Sequence, residues 1–283
     1  MNLGVSMYSY VRVVKSGQMD IRGFISEAKR IGAEGVELLD FFYQDADAER
    51  LVAKQALAEE GIPCGIFSVA QNFAKASESE RDAQLQKILF GIGEAEFFDA
   101  KVVRVFAGDV SPGIEFEQAR NWIVDGLARA ADAAHERGIR LALENHGKLA
   151  GRGEQVRSII DDVRHRCGHD ALGANPDTGN FLLVGQESHE AIEKVADYAY
   201  MVHFKDFSPA PPSYDGYTFD ALDGSKFIGT VIGEGEVDLA QCLAHLKDAG
   251  FNGWVNLEYE GEGDNIMDVD RSFQNARRFV DAC

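Results

Sequence analysis

Eight short runs of β-forming residues, each followed by a stretch with helical spacing, constrain this chain more than any other feature. The runs are residues 3–9, 35–40, 64–70, 102–108, 141–147, 172–180, 199–206 and 254–261. Most are dominated by apolar residues, as expected of strands covered on both faces. Between the first two, Ile21, Phe24, Ile25, Ala28 and Ile31 recur on one helical face, and Gly32 marks the helix end. Segments 47–60, 78–98, 116–137, 154–166, 187–197, 238–249 and 267–281 read similarly. The joints repeat as well. KRIGAEGVELL (29–39) and KDAGFNGWVNLE (247–258) share a helix end, a Gly turn, a second Gly and a strand ending in an acid; RGIRLALE (137–144) is a looser version. Eight such units in 283 residues predict an α/β fold, a (β/α)8 TIM barrel forming one domain over 1–283. An open doubly wound sheet is the alternative, weakened because no GxGxxG follows the first strand and no Walker loop occurs. The longest irregular stretch, 207–235, holds Pro209, Pro211 and Pro212 and is expected to fold as a lid over the barrel mouth.

Charge narrows the partners. A net charge of −19 opposes nucleic-acid backbones and anionic membranes. No apolar run is long enough to span a bilayer, and MNLGVSMYSY lacks the basic region of a secretory signal. Cys64, Cys167, Cys242 and Cys283 are dispersed, which fits a reducing, cytoplasmic setting and argues against a thiolate zinc site. The expected partner is a small molecule; pairing with a second copy is left open.

In a barrel, the C-terminal strand ends meet on one face. Here LALENHG (141–147) ends with Glu144 and His146, NPDTGN supplies Asp177, HFKD supplies His203, Lys205 and Asp206, and LEYEG supplies Glu258 and Glu260. The second strand adds Glu37 and Asp40. Each has an ordinary reading alone: a solvated strand end, a turn-capping Asp, a core histidine, a loop ion pair. Together, three carboxylates in one pocket repel one another, and a divalent cation resolves that repulsion. Glu144, Asp177, His203 and Glu258 form an oxygen-rich set with one nitrogen, suited to Mn2+ first, or to Mg2+, Co2+ or Zn2+. Residues two apart on a strand share a face, so each ligand brings a neighbour able to meet substrate. His135, His165, His169, His189 and His245 read as surface or packing residues.

The set LENHG, DTGN, HFKD, GEGEVD and LEYEG resembles the xylose isomerase-like superfamily of TIM barrels, the sugar phosphate isomerase/epimerase group, over essentially the whole chain. The resemblance implies a single divalent metal held by Glu144, Asp177, His203 and Glu258. In its ketose 3-epimerase branch the two ligand glutamates also move protons, roles that fall on Glu144 and Glu258. That branch places a His three residues after the Asp, where this chain has Asn180. The ENH pattern instead resembles the 3-dehydroshikimate and inosose dehydratase branch, in which His146 is the base and Lys205 contacts substrate. Arg104 then binds an anionic group. In the family, GEGEVD lies near the pocket, which puts Glu234 at the substrate; as a plain turn it makes Asp238 the next helix's N-cap. Tyr8 and Phe67 line the sugar site or pack the barrel. The endonuclease IV branch needs three zinc ions and more histidines than this chain has. The expected activity is therefore a metal-dependent isomerase or epimerase of a carbohydrate or cyclic polyol ketone. A dehydratase using His146 and a catalytically silent barrel are the alternatives.

Overall fold

A computed structural model describes residues 1–110 and 113–283. Eight parallel strands form the barrel: β1 (Asn2–Ser6), β2 (Val36–Leu39), β3 (Cys64–Ser68), β4 (Val102–Val105), β5 (Arg140–Glu144), β6 (Leu172–Asn175), β7 (Met201–Phe204) and β11 (Trp254–Leu257). The hydrogen-bonded order is β6-β5-β4-β3-β2-β1-β11-β7. Parallel bridges Ala174–Ala199 and Asp177–His203 join its two edges. The chain is thus a single-domain (β/α)8 barrel. Near-closure brings residues far apart in sequence to one mouth.

Helices cover the outside. They are α1 (Val11–Lys15), α2 (Ile21–Arg30), α3 (Ala46–Glu60), α4 (Glu78–Phe98), α5 (Phe116–Glu136), α6 (Gly153–Cys167), α7 (Ser188–Val195), α8 (Leu239–Asp248) and α9 (Asn265–Ala282). The caps are local. Asp20, Asp45, Asp238 and Asp264 each accept an amide of the first turn, and Ser77 with Glu80 forms a capping box on α4. Helix α2 buries Ile21, Phe24, Ile25 and Ala28, as its spacing predicts. Each such large apolar side chain stabilises the fold by about 1.5–3 kcal/mol.

Inside the barrel a separate cluster, Ile66, Val102, Ala142 and Met201, packs with Tyr200 and Trp254. Strand periodicity then writes the site. Two residues beyond these four lie Ser68, Arg104, Glu144 and His203, and two beyond Trp254 lies Asn256. An apolar plug thus carries a polar layer on top. The plug needs Gly35: a Cβ there would lie 2.5 Å from the Trp254 ring. Phe67 has the opposite parity, so it faces the helices and stacks on Phe98.

Several strands are shorter than the sequence suggests. Met7–Tyr10 is a 3-10 turn rather than the end of β1, because the Ser6 side chain caps it. The 207–235 segment folds into β8 (Phe207–Pro209), β9 (Phe219–Asp220) and β10 (Lys226–Gly229), an antiparallel sheet ordered β8-β10-β9. Residues Tyr217 to Asp220 of it line the cavity at the barrel mouth.

Candidate metal centre

Glu144 ends β5, Asp177 follows β6, His203 lies in β7 and Glu258 follows β11. One ligand atom from each lies within 4.8 Å of the others, and all four side chains are buried. His203 Nδ1 is 3.1 Å from Glu144 Oε2, 3.5 Å from Glu258 Oε2 and 3.8 Å from Asp177 Oδ2. His203 Nδ1 and Asp177 Oδ2 make no hydrogen bond of good geometry although neither is exposed. Buried polar atoms are normally satisfied; here Asp177 Oδ2 rests on the Lys205 ammonium and His203 Nδ1 on Glu144, charged contacts that a shared cation would replace. The Lys205 ammonium already sits among these oxygens, 2.8 Å from Asp177 Oδ2 and from Glu258 Oε2, and 2.6 Å from Glu260 Oε1. The donor set fits a divalent ion: three carboxylates and one imidazole, in surroundings where Glu37, Glu144, Asp177, Glu258 and Glu260 face two permanent cations, Lys205 and Arg104.

A second tier fixes the first. The Glu37 carboxylate accepts from His203 Nε2 at 2.9 Å, from Ser68 Oγ at 2.5 Å and from Asn256 Nδ2 at 3.0 Å, with no exposure. A carboxylate only accepts, so it holds the proton on Nε2 and leaves Nδ1 facing the cluster. Asn145 pins Asp177 in both directions, donating to its carbonyl at 3.0 Å and accepting its amide at 2.6 Å. Asp177 Oδ1 takes the amides of Gly179 and Asn180, which leaves Oδ2 for the cluster. Asn175 Nδ2 and Asn180 Nδ2 donate to Glu144 at 3.1 and 3.3 Å, and Arg104 Nε lies 3.3 Å from its Oε2.

Burial opposes every charge here, and the neighbours decide the outcome. Burial would raise the Glu144 carboxyl, but His203 and Arg104 hold it well below the usual carboxylate range. Asp177 goes the other way: burial pushes it up to about 7, only partly offset by Lys205, with Glu144 and Glu258 adding repulsion. Burial would discharge His203 and Lys205, yet the carboxylates around them keep both pKa values raised.

The structure brings most of the expected residues together. A cavity of about 990 Å3 is lined by Tyr8, Arg104, Glu144, His146, Asn180, Lys205, Glu258 and Glu260, with Asp177 and His203 fully buried behind. His146 is exposed to the cavity and its ring lies 4.4 Å from that of Phe106. Glu234 lies outside the lining of that cavity. The amides of Gly233, Gly235 and Val237 wrap the Asp206 carboxylate at 2.9–3.1 Å. That turn directs Glu234 outward to an exposed pair with Arg271, away from the cavity. Asp238 caps α8 as expected. Glu37 was visible in sequence only as a strand-two acid, because its partner His203 is 166 residues away. All four cysteines are free, and no helix among the described residues is long and apolar enough to cross a membrane.

The comparisons agree with this architecture. An inosose dehydratase from Lacticaseibacillus casei is 24% identical over 162 residues, covering 56% of this chain and 53% of that protein. The chain thus spans about half the length of the curated relatives it matches. Among solved structures, a D-tagatose 3-epimerase-like protein superposes with a TM-score of 0.77 at 18% identity, covering 100% of this chain and 98% of that one. The IOLI protein with a bound zinc atom does so with a TM-score of 0.74 at 18% identity, covering 99% and 96%. The family model described as xylose isomerase-like TIM barrel matches residues 25–283, and the chain belongs to that family.

Proposed function

We propose that the protein is a divalent-metal-dependent enzyme that removes a proton next to the carbonyl of a sugar-like or cyclic polyol ketone. One observation carries this reading: Glu144, Asp177, His203 and Glu258 converge, buried and incompletely hydrogen-bonded, beneath a cavity flanked by His146 and Lys205. The zinc bound to the IOLI protein supports a divalent metal here as well. A divalent ion held there supplies Lewis-acid polarisation of a substrate carbonyl, a contribution of several kcal/mol. The remaining work falls on side chains. Lys205 and Arg104 offer positive charge to oxygens on the substrate, and Asn180 orients Glu144. Glu144 and Glu258 come from different strands and present carboxylates that take up and return a proton, which is the isomerase or epimerase reading.

The dehydratase reading has its own observation. His146 is the imidazole exposed in the cavity, with its ring tilted against Phe106 and two residues after Glu144 on the chain. The inosose dehydratase relatives support it. There His146 takes the proton and a β-hydroxyl leaves as water. A positioned base contributes about 10²–10⁴-fold in rate. Incubation of metal-loaded protein with a panel of ketoses and inososes tests both. An isomer of equal mass marks the epimerase; loss of water with a new ultraviolet-absorbing enone marks the dehydratase. His146→Asn should cost at least about 10²-fold in kcat if His146 is the base. Neither product from any ketone, with metal present, contradicts the proposal.

A further inference from the structure

We infer that the outer half of the cavity is a subsite for an uncharged, planar apolar group carried by the sugar-like ring. The substrate is then a ketone derived from an aryl-type glycoside rather than a free sugar. This rests on the functional reading above for the inner half of the cavity.

Three observations converge on it. First, the cavity is about 990 Å3, at the upper end of the roughly 300–1,000 Å3 range of small-molecule sites, and more than one six-carbon ring fills. Second, two pairs of aromatic rings line it. Tyr8 and Phe41 have ring centroids 6.2 Å apart, and Tyr217 and Phe219 of the lid segment lie 5.0 Å apart and edge to face. Phe41 is 49% and Tyr217 64% exposed, and both line the same opening. On a chain of net charge −19, grouped aromatic surface facing water at a cavity mouth marks a place where something apolar binds.

Third, contacts at the rim hold the lid segment in place. The Arg12 guanidinium donates to the carbonyls of Glu262, at 2.7 Å, and Gly263. The Glu262 carboxylate accepts Tyr214 Oη at 2.7 Å and the Tyr217 amide at 2.8 Å. The lid side of the aromatic lining is therefore preformed, and the Lys15 ammonium lies 4.8 Å from the centroid of the Phe41 ring. Flat rings recognise flat rings and the apolar faces of sugars at small entropic cost, because each wall side chain is already positioned.

The test uses unreactive analogues on zinc-loaded protein: D-glucose, D-glucose 6-phosphate and phenyl β-D-glucopyranoside, titrated calorimetrically. The expected result is phenyl glucoside binding at least about tenfold more tightly than glucose, the scale of one or two aromatic contacts. Phe41→Ala and Tyr217→Ala should each erase several-fold of that preference. Tighter binding of the phosphate ester, equal binding of all three, or no detectable binding of the phenyl glucoside overturns the subsite. So does a wild-type dimer that the two substitutions dissociate without changing phenyl glucoside affinity, since the rings would then cover a second copy. Zinc stoichiometry on the same samples separates the failures. Wild-type protein that takes up no zinc defeats the functional reading, whereas normal zinc uptake without the preference defeats the subsite alone.

Discussion

Replacing Glu37 with Gln should weaken metal binding although Glu37 is not itself a ligand. Glu37 is fully buried and its oxygens hold His203 Nε2, Ser68 Oγ and Asn256 Nδ2. Glutamine keeps the volume and most of these contacts, so the barrel should fold. What disappears is the charge. Hydrogen bonds to a charged partner contribute about 1.5–3 kcal/mol against about 1 kcal/mol for neutral ones, so His203 loses roughly 1–2 kcal/mol of support for its ligating tautomer. An amide nitrogen turned toward Nε2 would also push the ring proton onto Nδ1, the atom that faces the cluster. Second-tier losses of this type cost roughly 10–100-fold in metal affinity, or about 1.4–2.8 kcal/mol. Competition between the protein and a chromophoric chelator for Zn2+ measures it, with circular dichroism as the folding control. A Glu37→Gln affinity within about twofold of wild type would refute the assignment of Glu37 as the residue that orients His203.

Other outcomes follow from the same contacts. In metal-free protein, Asp177 has its carboxyl raised to about 7 by burial, and His203 is also raised. The folded state therefore binds more protons than the unfolded state above the unfolded Asp value of about 3.9, so these two groups lose stability as pH rises. Metal-free protein should melt at a lower temperature at about pH 8 than at about pH 5.5, and metal should abolish that trend; calorimetry at both values checks it. Gly35→Ala forces a methyl against Trp254 and should cost about 1–3 kcal/mol in urea unfolding, whereas a change under about 0.5 kcal/mol would mean the plug is looser than drawn. Asp206→Ala leaves the Gly233, Gly235 and Val237 amides without their acceptor, at about 1 kcal/mol each, and should make residues 207–235 the first site of limited proteolysis. Unchanged proteolysis would show that the lid is held elsewhere.

Much of this was legible in the sequence, for an identifiable reason. Strand periodicity and the convergence of C-terminal strand ends are local rules, so Glu144, Asp177, His203 and Glu258 could be gathered without coordinates. What local rules do not carry is the partner across the barrel. Glu37 meets His203 over 166 residues and Asn256 over 219, and only closure makes those pairs. Glu234 is a related case. Its Gly-rich segment reads either as a pocket loop or as a plain turn, and the Gly233 and Gly235 amides serve Asp206 while Glu234 pairs with Arg271. The strands came out shorter than their apolar runs because side chains at their ends, Ser6 on Tyr8 and Asp177 on Gly179, hydrogen-bond the backbone into turns.

The most direct test of the account is metal content. Protein stripped with chelator, reloaded and desalted should hold one divalent ion per chain by elemental analysis, and Glu258→Ala and Asp177→Ala should hold far less under the same treatment. No ion retained by the wild type after incubation with Mn2+, Co2+, Zn2+ or Mg2+ would contradict the account at its centre, because four buried side chains would then converge for some purpose other than metal chemistry.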